Sequence, residues 1–227
     1  MSNPPLNQLT NKPQAILFDL DGTLLDSAPD LAAATNLLLT ARQLPALPYA
    51  VLRPHASAGA RGLVGTAFGI KPGDAEYAAL RDEFLNNYEQ AMNVHSRLFD
   101  GVEELLHSLG QAGIAWGIVT NKLARFTDVL VPQVGLGHAA CIISGDTTGF
   151  AKPHPAPLLA AASALQVPAQ ACWYVGDDAR DIEAGRAAGM ATIAANWGYC
   201  EPAEVAHWGA DHSLQEVRDI LRLLAIN

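Results

Sequence analysis

Short apolar stretches of strand length recur along the chain, with helical patterns between most of them. Each stretch ends near a Gly, Asp, Ser, Thr or Asn residue, which is typical of buried strands. The stretches are Ala15–Phe18, Ala115–Val119, Ala140–Ile143, Cys172–Val175 and Ala191–Ala194. Helical periodicity covers Val102–Gly113, Leu123–Gly135, Ala156–Leu165 and Ala179–Gly189. This alternation predicts an α/β fold, a Rossmann-like doubly wound parallel sheet.

One long segment interrupts the alternation. Between residues 27 and 96 no stretch is strand-like, whereas Ala28–Ala41, Tyr49–Phe68 and Gly73–Asn93 are rich in Ala and Leu at helical spacing. We interpret this segment as an inserted unit of about four short helices. The expected division is a flexible tail over 1–14, an α/β core over 15–26 and 97–227, and a helical insertion over 27–96.

The composition and charge of the chain exclude several classes of protein. Of its 227 residues, 50% are hydrophobic, which is enough for a buried core and too many for a disordered or fibrous chain. The 14 basic and 23 acidic residues give a net charge of −9. We therefore expect no nucleic-acid partner, because the chain lacks a basic footprint.

The chain carries no targeting or membrane signal. Residues 1–14 are polar and contain prolines, and no window elsewhere reaches about 18 uninterrupted apolar residues. Cys141, Cys172 and Cys200 are odd in number and lack CxxC spacing, so we expect reduced thiols. The expectation is a cytoplasmic protein without a membrane partner, either a monomer or a weak homodimer.

Polar side chains follow four of the predicted strands. Because the carboxyl ends of parallel strands meet at one edge of a sheet, we expect these side chains to converge there. They are Asp19, Asp21, Thr120, Asn121, Lys152, Asp177, Asp178 and Asp181. Clustered carboxylates repel one another by several kcal/mol unless a divalent cation lies among them. Oxygen ligands suit Mg²⁺, and a nearby lysine and hydroxyl would complete an anion site.

Four short motifs in these positions resemble those of haloacid-dehalogenase-superfamily phosphatases. The motifs are "DLDGT" at Asp19–Thr23, "VTN" at Val119–Asn121, "KP" at Lys152–Pro153 and "GDDARD" at Gly176–Asp181. Their order matches that of the superfamily, and so does the span from Ala15 to about Ala195.

The resemblance implies a mechanism. Asp19 would attack phosphorus and form an aspartyl-phosphate, while Asp21 would protonate the leaving alcohol and then activate water. Thr120 would hydrogen-bond the phosphoryl group, and Lys152 would neutralise its charge. Mg²⁺ would be held by Asp19, the backbone carbonyl of Asp21, and Asp177.

For two of the remaining motif residues, Asn121 and Asp178, the sequence leaves two roles open. Asn121 is expected to bind substrate together with Thr120, and capping of the strand end is the alternative. Asp181 is expected to orient Lys152 or a metal-bound water. For Asp178 both a metal-ligand role and a helix N-cap stay open, and the N-cap is preferred.

The insertion resembles the small cap domain of the superfamily, which closes over the site and selects small substrates. The glycine-rich stretch Ser57–Gly69 is expected to be the cap loop that faces the phosphate site. Arg61 is its only cation. We expect Arg61 to bind a carboxylate or sugar hydroxyls of the substrate, with a surface salt bridge as the alternative.

Within the superfamily, the chain most resembles phosphoglycolate phosphatases and the N-acetylmuramic acid 6-phosphate phosphatases of cell-wall recycling. The stretches that carry the second likeness are "RLFDGV", "WGIVTNK", "VGDDARDIEAGRAAGM" and "HWGAD". Both substrates are phosphomonoesters with a carboxylate. A phosphomutase of the same superfamily is the alternative. A haloacid dehalogenase is disfavoured because it would need neither Asp21 nor Mg²⁺.

Overall fold

A computed structural model describes residues 12–226, and residues 1–11 of the predicted tail lie outside this range. A six-stranded parallel sheet forms the centre of the protein, in the order β5-β4-β1-β6-β7-β8. Its strands are β1 (Ala15–Phe18), β4 (Ala115–Val119), β5 (Ile142–Ile143), β6 (Cys172–Gly176), β7 (Ala191–Ala195) and β8 (His212–Leu214). Two further strands, β2 (Leu25–Asp26) and β3 (Arg97–Leu98), form an antiparallel ribbon. The predicted parallel α/β sheet is thereby confirmed.

Helices lie between these strands. In the 27–96 segment they are α1 (Ala28–Ala41), α2 (Tyr49–Leu52), α3 (Gly59–Phe68) and α4 (Tyr77–Ala91). The others are α5 (Val102–Gln111), α6 (Ala124–Gln133), α7 (Ala156–Ala164), α8 (Ala179–Ala187), α9 (Pro202–Val205) and α10 (Asp219–Leu224). In the described part of the chain, no helix combines the length and the apolar composition that crossing a bilayer requires.

Strand β1 is apolar throughout because it is the inner strand between β4 and β6. Ile16 and Phe18 pack into one hydrophobic cluster and Ala15 and Leu17 into the other, so both faces of the strand are buried. Phe18 pairs in register with residues of both neighbouring strands. The residues that follow β1, β4 and β6 therefore meet at one edge of the sheet.

The helical segment between β2 and β3 contains four short α-helices, in agreement with the predicted number. The stretch Tyr49–Phe68, predicted to be helical, is divided into α2, a 3-10 turn over Arg53–Ala58, and α3. Pro54 lies in the first turn of the 3-10 stretch, where its missing N–H is tolerated. Gly59 has a φ of 55°, which separates that stretch from α3.

Two sheet features were missed by the sequence analysis, namely β8 and the short ribbon. Strand β8 is an edge strand of three residues, of which only Leu214 is buried, so it has no apolar run to detect. At the other end of the described chain, Gln14 already joins the sheet. Its N–H donates to Ala171 O at 2.8 Å, and its carbonyl accepts from Ala115 N at 3.3 Å.

Candidate active site

The polar residues predicted to converge do lie together at the carboxyl edge of β1, β4 and β6. A cavity of about 260 Å³ separates this edge from the helical segment. The predicted residues that line it are Asp19, Asp21, Thr120, Asn121, Lys152, Asp178 and Asp181. Asp177 lies beside them, since a carboxylate oxygen of Asp19, of Asp177 and of Asp181 all fall within 4.8 Å of one another.

Lys152 is the cation at the centre of this group and is buried. Its Nζ lies 2.9 Å from Asp19 Oδ1 and 2.7 Å from Asp181 Oδ1, and it donates to Tyr174 Oη at 2.7 Å. Burial alone would lower the pKa of Lys152, but the charges of Asp181 and Asp19 raise it above its ordinary value. The ammonium group is therefore charged and fixed between two carboxylates.

Asn121 positions the loop that carries this lysine. Its Nδ2 donates to Lys152 O at 3.0 Å, and its Oδ1 accepts from Lys152 N at 2.9 Å. The sequence analysis assigned Asn121 to substrate binding. In the structure the amide lines the cavity but is paired with backbone, so its observed contacts hold Lys152 in place.

Asp19, the predicted nucleophile, follows β1 directly. Its Oδ1 accepts from Leu20 N at 2.8 Å and from Lys152. Burial raises the pKa of Asp19 to about 7, with Lys152 opposing the shift and the charge of Asp181 adding to it. Lys152 is thus the main group that favours the ionised form of the Asp19 carboxylate.

Asp177 is the second buried carboxylate of the group. It accepts from Thr23 Oγ1 at 3.2 Å, Ser57 Oγ at 3.0 Å and Tyr199 N at 2.9 Å. Burial, and then the charges of Asp19 and Asp181, raise its pKa well above the ordinary value. Ser57 begins the stretch that was expected to face the site, although no role was predicted for it, and it brings the helical segment into contact with this carboxylate.

The carboxylate cluster fits a hard divalent cation. Asp19, Asp177 and Asp181 bring three acidic side chains around one lysine, which leaves an excess of buried negative charge. All the donors are oxygens, the ligands that Mg²⁺ prefers. The predicted metal set was Asp19, the Asp21 carbonyl and Asp177. The geometric cluster instead includes Asp181, whose Oδ1 is also paired with Lys152.

Two glycines make room for Asp177. A Cβ added to Gly22 would lie 2.1 Å from Asp177 Oδ2, and one added to Gly198 would lie 2.3 Å from Asp177 Cβ. Gly22 also has a φ of 83°, in the left-handed region where side chains are strained. The glycine of "DLDGT" is therefore required both by the turn after β1 and by the carboxylate packed on it.

Asp21 has a lysine of its own, which the sequence analysis did not single out. Lys122 Nζ lies 3.0 Å from each carboxylate oxygen of Asp21, and Ser27 Oγ donates to Oδ1. Burial lowers the pKa of Lys122, but its interactions with Asp21 and Tyr88 together outweigh that effect and raise the pKa. The available signal was its position directly after "VTN" at the end of β4.

Thr120 and Lys122 are linked through the turn that follows β4. Thr120 is buried and lines the cavity, and its Oγ1 accepts from Lys122 N at 3.2 Å. Its own N–H donates to Ile143 O at 2.9 Å, which ties the strand end to β5. The hydroxyl is thereby held at the cavity edge where the sequence analysis expected a phosphoryl contact.

Asp178 is the N-cap of α8. Its side chain accepts from Arg180 N at 2.9 Å, and Asp181 Oδ2 accepts from Asp178 N at 3.1 Å, which completes a capping box. Arg180 also pairs with the Asp178 carboxylate through Nε at 2.7 Å and reaches Ser57 O through Nη2 at 2.8 Å. Of the two roles left open for Asp178, the structure places it in the N-cap.

The expectation for Arg61 differs from its observed position. The stretch Ser57–Gly69 is mostly helical, and only Ser57 to Ala60 line the cavity. Arg61 is exposed on α3 and is not among the described residues of the cavity wall. The stretch was expected to be a loop, but a helix begins at Gly59, and the Arg61 side chain on it is exposed. The arginines in the wall are Arg81 and Arg180.

Known proteins with similar sequences are named phosphatases. A phosphoglycolate phosphatase of Xanthomonas campestris is 51% identical over 188 residues, which cover 82% of this chain and 85% of that one. An N-acetylmuramic acid 6-phosphate phosphatase of Pseudomonas putida is 44% identical over 200 residues, covering 87% and 90% of the two chains. That of Pseudomonas aeruginosa is 41% identical over 213 residues, covering 93% and 94%.

A solved structure with a similar fold also carries the name of a phosphatase. The crystal structure of a predicted phosphoglycolate phosphatase from Haemophilus somnus superposes with a TM-score of 0.83 at 27% identity, covering 94% of this chain and 99% of that one. The family model described as haloacid dehalogenase-like hydrolase matches residues 16–195, which contain all the motif residues discussed above. The chain therefore belongs to the haloacid dehalogenase-like hydrolase family.

Proposed function

We propose that this protein is a Mg²⁺-dependent phosphomonoester hydrolase that acts through an aspartyl-phosphate on Asp19. The observation that carries the proposal is the placement of two carboxylates, two residues apart, each against its own lysine. Asp19 is paired with Lys152 and Asp21 with Lys122, and both pairs face one cavity. Nucleophilic attack and proton transfer need two carboxyl groups in different environments, and this arrangement supplies them.

Lys152 and Thr120 form the proposed phosphate-binding side of the cavity. Lys152 Nζ, fixed by Asp181 and Tyr174, would offset charge on the phosphoryl oxygens and on Asp19 together. Thr120 would donate its hydroxyl to a phosphoryl oxygen. Mg²⁺, held by Asp19, the Asp21 carbonyl and Asp177, with Asp181 nearby, would supply Lewis-acid stabilisation of the phosphoryl charge.

Asp19 would form the new bond to phosphorus as the bond from phosphorus to the leaving oxygen breaks. Its Oδ1 contacts with Leu20 N and Lys152 fix the carboxylate orientation before attack. Asp21 would give its proton to the leaving oxygen and then take a proton from the water that attacks the phospho-enzyme. Lys122 and Ser27 would hold Asp21 in reach of both oxygens.

The proposed substrate is a small phosphate ester that carries a carboxylate. The names of the relatives support two candidates, 2-phosphoglycolate and N-acetylmuramic acid 6-phosphate. Arg81 and Arg180 in the cavity wall, and Lys122 beside Asp21, offer cations for that carboxylate. They take over the role that the sequence analysis gave to Arg61.

The test is phosphate release from p-nitrophenyl phosphate with MgCl₂ and with EDTA. We expect turnover only with Mg²⁺, and its loss in Asp19→Asn, because the amide is a poor nucleophile at phosphorus. Asp128→Asn is the matched control, since Asp128 is an exposed carboxylate on α6 that is not among the described residues of the cavity wall. Turnover that persists in EDTA or in Asp19→Asn would contradict the mechanism. Hydrolysis of 2-chloro acids would favour a dehalogenase, and interconversion of glucose phosphates a mutase.

A further inference from the structure

Besides the charged residues, the cavity is lined by apolar and aromatic side chains. Leu31 on α1 and Phe84 on α4 come from the helical segment, and Phe126 on α6 comes from the other side. The ring of Tyr88 joins them. It lies nearly parallel to that of Phe84, with centroids 6.5 Å apart, and edge-on to that of Phe126 at 5.5 Å. A ligand in this cavity would therefore meet both charged groups and aromatic carbon.

Tyr88 brings a polar atom into this wall at an energetic cost. Its side chain is 2% exposed, and among the residues that the structure describes its Oη makes no hydrogen bond of good geometry, although the Lys122 ammonium group lies near it. A buried hydroxyl without a partner destabilises the folded protein, and phenylalanine would fill the same space without that cost. We therefore infer that the Tyr88 hydroxyl forms a hydrogen bond with a polar group of the bound substrate.

The position of Tyr88 indicates which part of a substrate it would meet. Lys122 Nζ lies over its ring, 4.5 Å from the centroid, and the same ammonium group contacts both oxygens of Asp21. Asp21 is the group proposed to protonate the leaving oxygen. Tyr88 thus lies beside the leaving alcohol, and not beside the phosphoryl group that Lys152 and Thr120 would hold.

We propose that Tyr88 is a specificity-determining residue whose Oη hydrogen-bonds a polar atom of the leaving alcohol, and this inference rests on the proposed function. We further propose that the leaving alcohol is a sugar-sized ring. A sugar ring presents C–H bonds on its faces and polar groups on its rim. The faces suit Phe84, Phe126 and Leu31, and a rim group suits Tyr88 Oη. A two-carbon acid has a single methylene group and would leave most of the aromatic wall uncovered.

The experiment compares Tyr88→Phe with Tyr77→Phe, a buried tyrosine on the same helix that is not among the described residues of the cavity wall. N-acetylmuramic acid 6-phosphate, glucose 6-phosphate and 2-phosphoglycolate are the substrates. We expect the wild type to have higher kcat/KM for a sugar phosphate than for 2-phosphoglycolate. Tyr88→Phe should lower that ratio about fivefold to tenfold, mainly through KM, because one neutral hydrogen bond is lost. Tyr77→Phe should leave the ratio within about twofold.

The substrate-free Mg²⁺ form of Tyr88→Phe should melt at the same temperature as the wild type or higher, since no hydrogen bond is lost. An unchanged substrate ratio, a preference of the wild type for 2-phosphoglycolate, or a lower melting temperature would overturn this inference. In each of those cases the wild type still turns over a phosphomonoester, so the proposed function stands. Absence of turnover with every ester would overturn the proposed function, and this inference with it.

Discussion

Lys152 shares one ammonium group between two carboxylates that would use it differently. Asp19 would need its charge balanced before it attacks phosphorus, whereas Asp181 stays in place as a structural partner and completes the capping box of α8. Tyr174 Oη and Val119 O also lie within hydrogen-bond distance of the ammonium group. The cation is therefore fixed from several sides, and fixed charges stabilise a transition state without the cost of reorienting.

The raised pKa values of the buried carboxylates predict how the stability of the protein depends on pH and on Mg²⁺. Burial raises the pKa of Asp19 to about 7 and that of Asp177 above its ordinary value. Between about pH 4 and pH 7 these two carboxyl groups therefore hold more protons in the folded metal-free protein than in the unfolded chain, so their contribution to stability falls as the pH rises. Mg²⁺ favours the ionised carboxylates and should reverse that loss.

We thus expect MgCl₂ to raise the melting temperature, relative to EDTA, more at about pH 8 than at about pH 5. Thermal unfolding followed by circular dichroism measures both differences. Asp82→Asn, which removes an exposed carboxylate, should show the same pH dependence as the wild type. An equal Mg²⁺ effect at the two pH values would argue against metal binding by these carboxylates.

At the scale of the element, the turn between β1 and β2 couples backbone conformation to the carboxylate cluster. Gly22 N donates to Leu25 O at 2.9 Å, which closes the turn, while the open side of the glycine is filled by Asp177. The end of β1 and the end of β6 are thus in van der Waals contact through one residue without a side chain. Any side chain at position 22 must displace Asp177.

We predict that Gly22→Ala abolishes activity, whereas Gly149→Ala does not. Both glycines have positive φ, 83° and 73°, so both substitutions carry a backbone cost of about 1 kcal/mol. Only Gly22 has a neighbour in the way, because nothing lies within 4 Å of a Cβ at Gly149. Steady-state kinetics and urea unfolding of the two variants separate the steric effect from the strain. Activity in Gly22→Ala close to that of Gly149→Ala would contradict the packing argument.

The elements that carry the predicted site were accessible from sequence because each is a local pattern. Asp19 and Asp177 directly follow apolar runs that become β1 and β6, and parallel strands bring such positions together whatever the rest of the chain does. Asp178 could be assigned to an N-cap because the helical pattern of α8 begins just after it. These inferences needed only strand order and helix chemistry.

Contacts made by the helical segment could not be predicted in the same way. Ser57 in the 3-10 stretch and Tyr88 on α4 reach the site only through the placement of these elements against the sheet, which no local pattern encodes. Arg61 was assigned wrongly for the same reason, since its direction depends on where the helix after Gly59 begins. Lys122 was missed because a lysine after a strand usually faces solvent, and here it is buried by Tyr88.

At the scale of the whole molecule, the helical segment is tied to the sheet domain at its connections and at the site. Asp30, buried on α1, accepts from Val94 N at 3.1 Å, His95 N at 2.9 Å and Ser96 N at 2.9 Å. It thereby fixes the return of the chain into β3. Near the cavity, Arg53 Nη2 donates to Gly198 O at 2.8 Å. The Asp30 contacts thus join the two ends of the segment, and the Arg53 contact ties the segment to the sheet domain.

We predict that Asp30→Ala loosens this connection. Three backbone N–H groups lose a charged acceptor, for an expected cost of about 2–3 kcal/mol in the free energy of unfolding. Hydrogen exchange should become faster at residues 94–96, and KM for the phosphate ester should rise because the cavity wall is less fixed. Asp82→Ala, on the exposed side of the same segment, is the control. Unchanged exchange at residues 94–96 would show that other contacts hold the connection.

The central position of β1 also has a consequence for synthesis of the chain. Both of its hydrogen-bonding partners come much later, β4 from residue 115 and β6 from residue 172. At about 5–20 residues per second, the ribosome leaves this apolar strand without its second neighbour for on the order of ten seconds. Unpaired apolar strands are templates for aggregation, so the nascent chain is most vulnerable to self-association, and most dependent on chaperones, before residue 172 emerges.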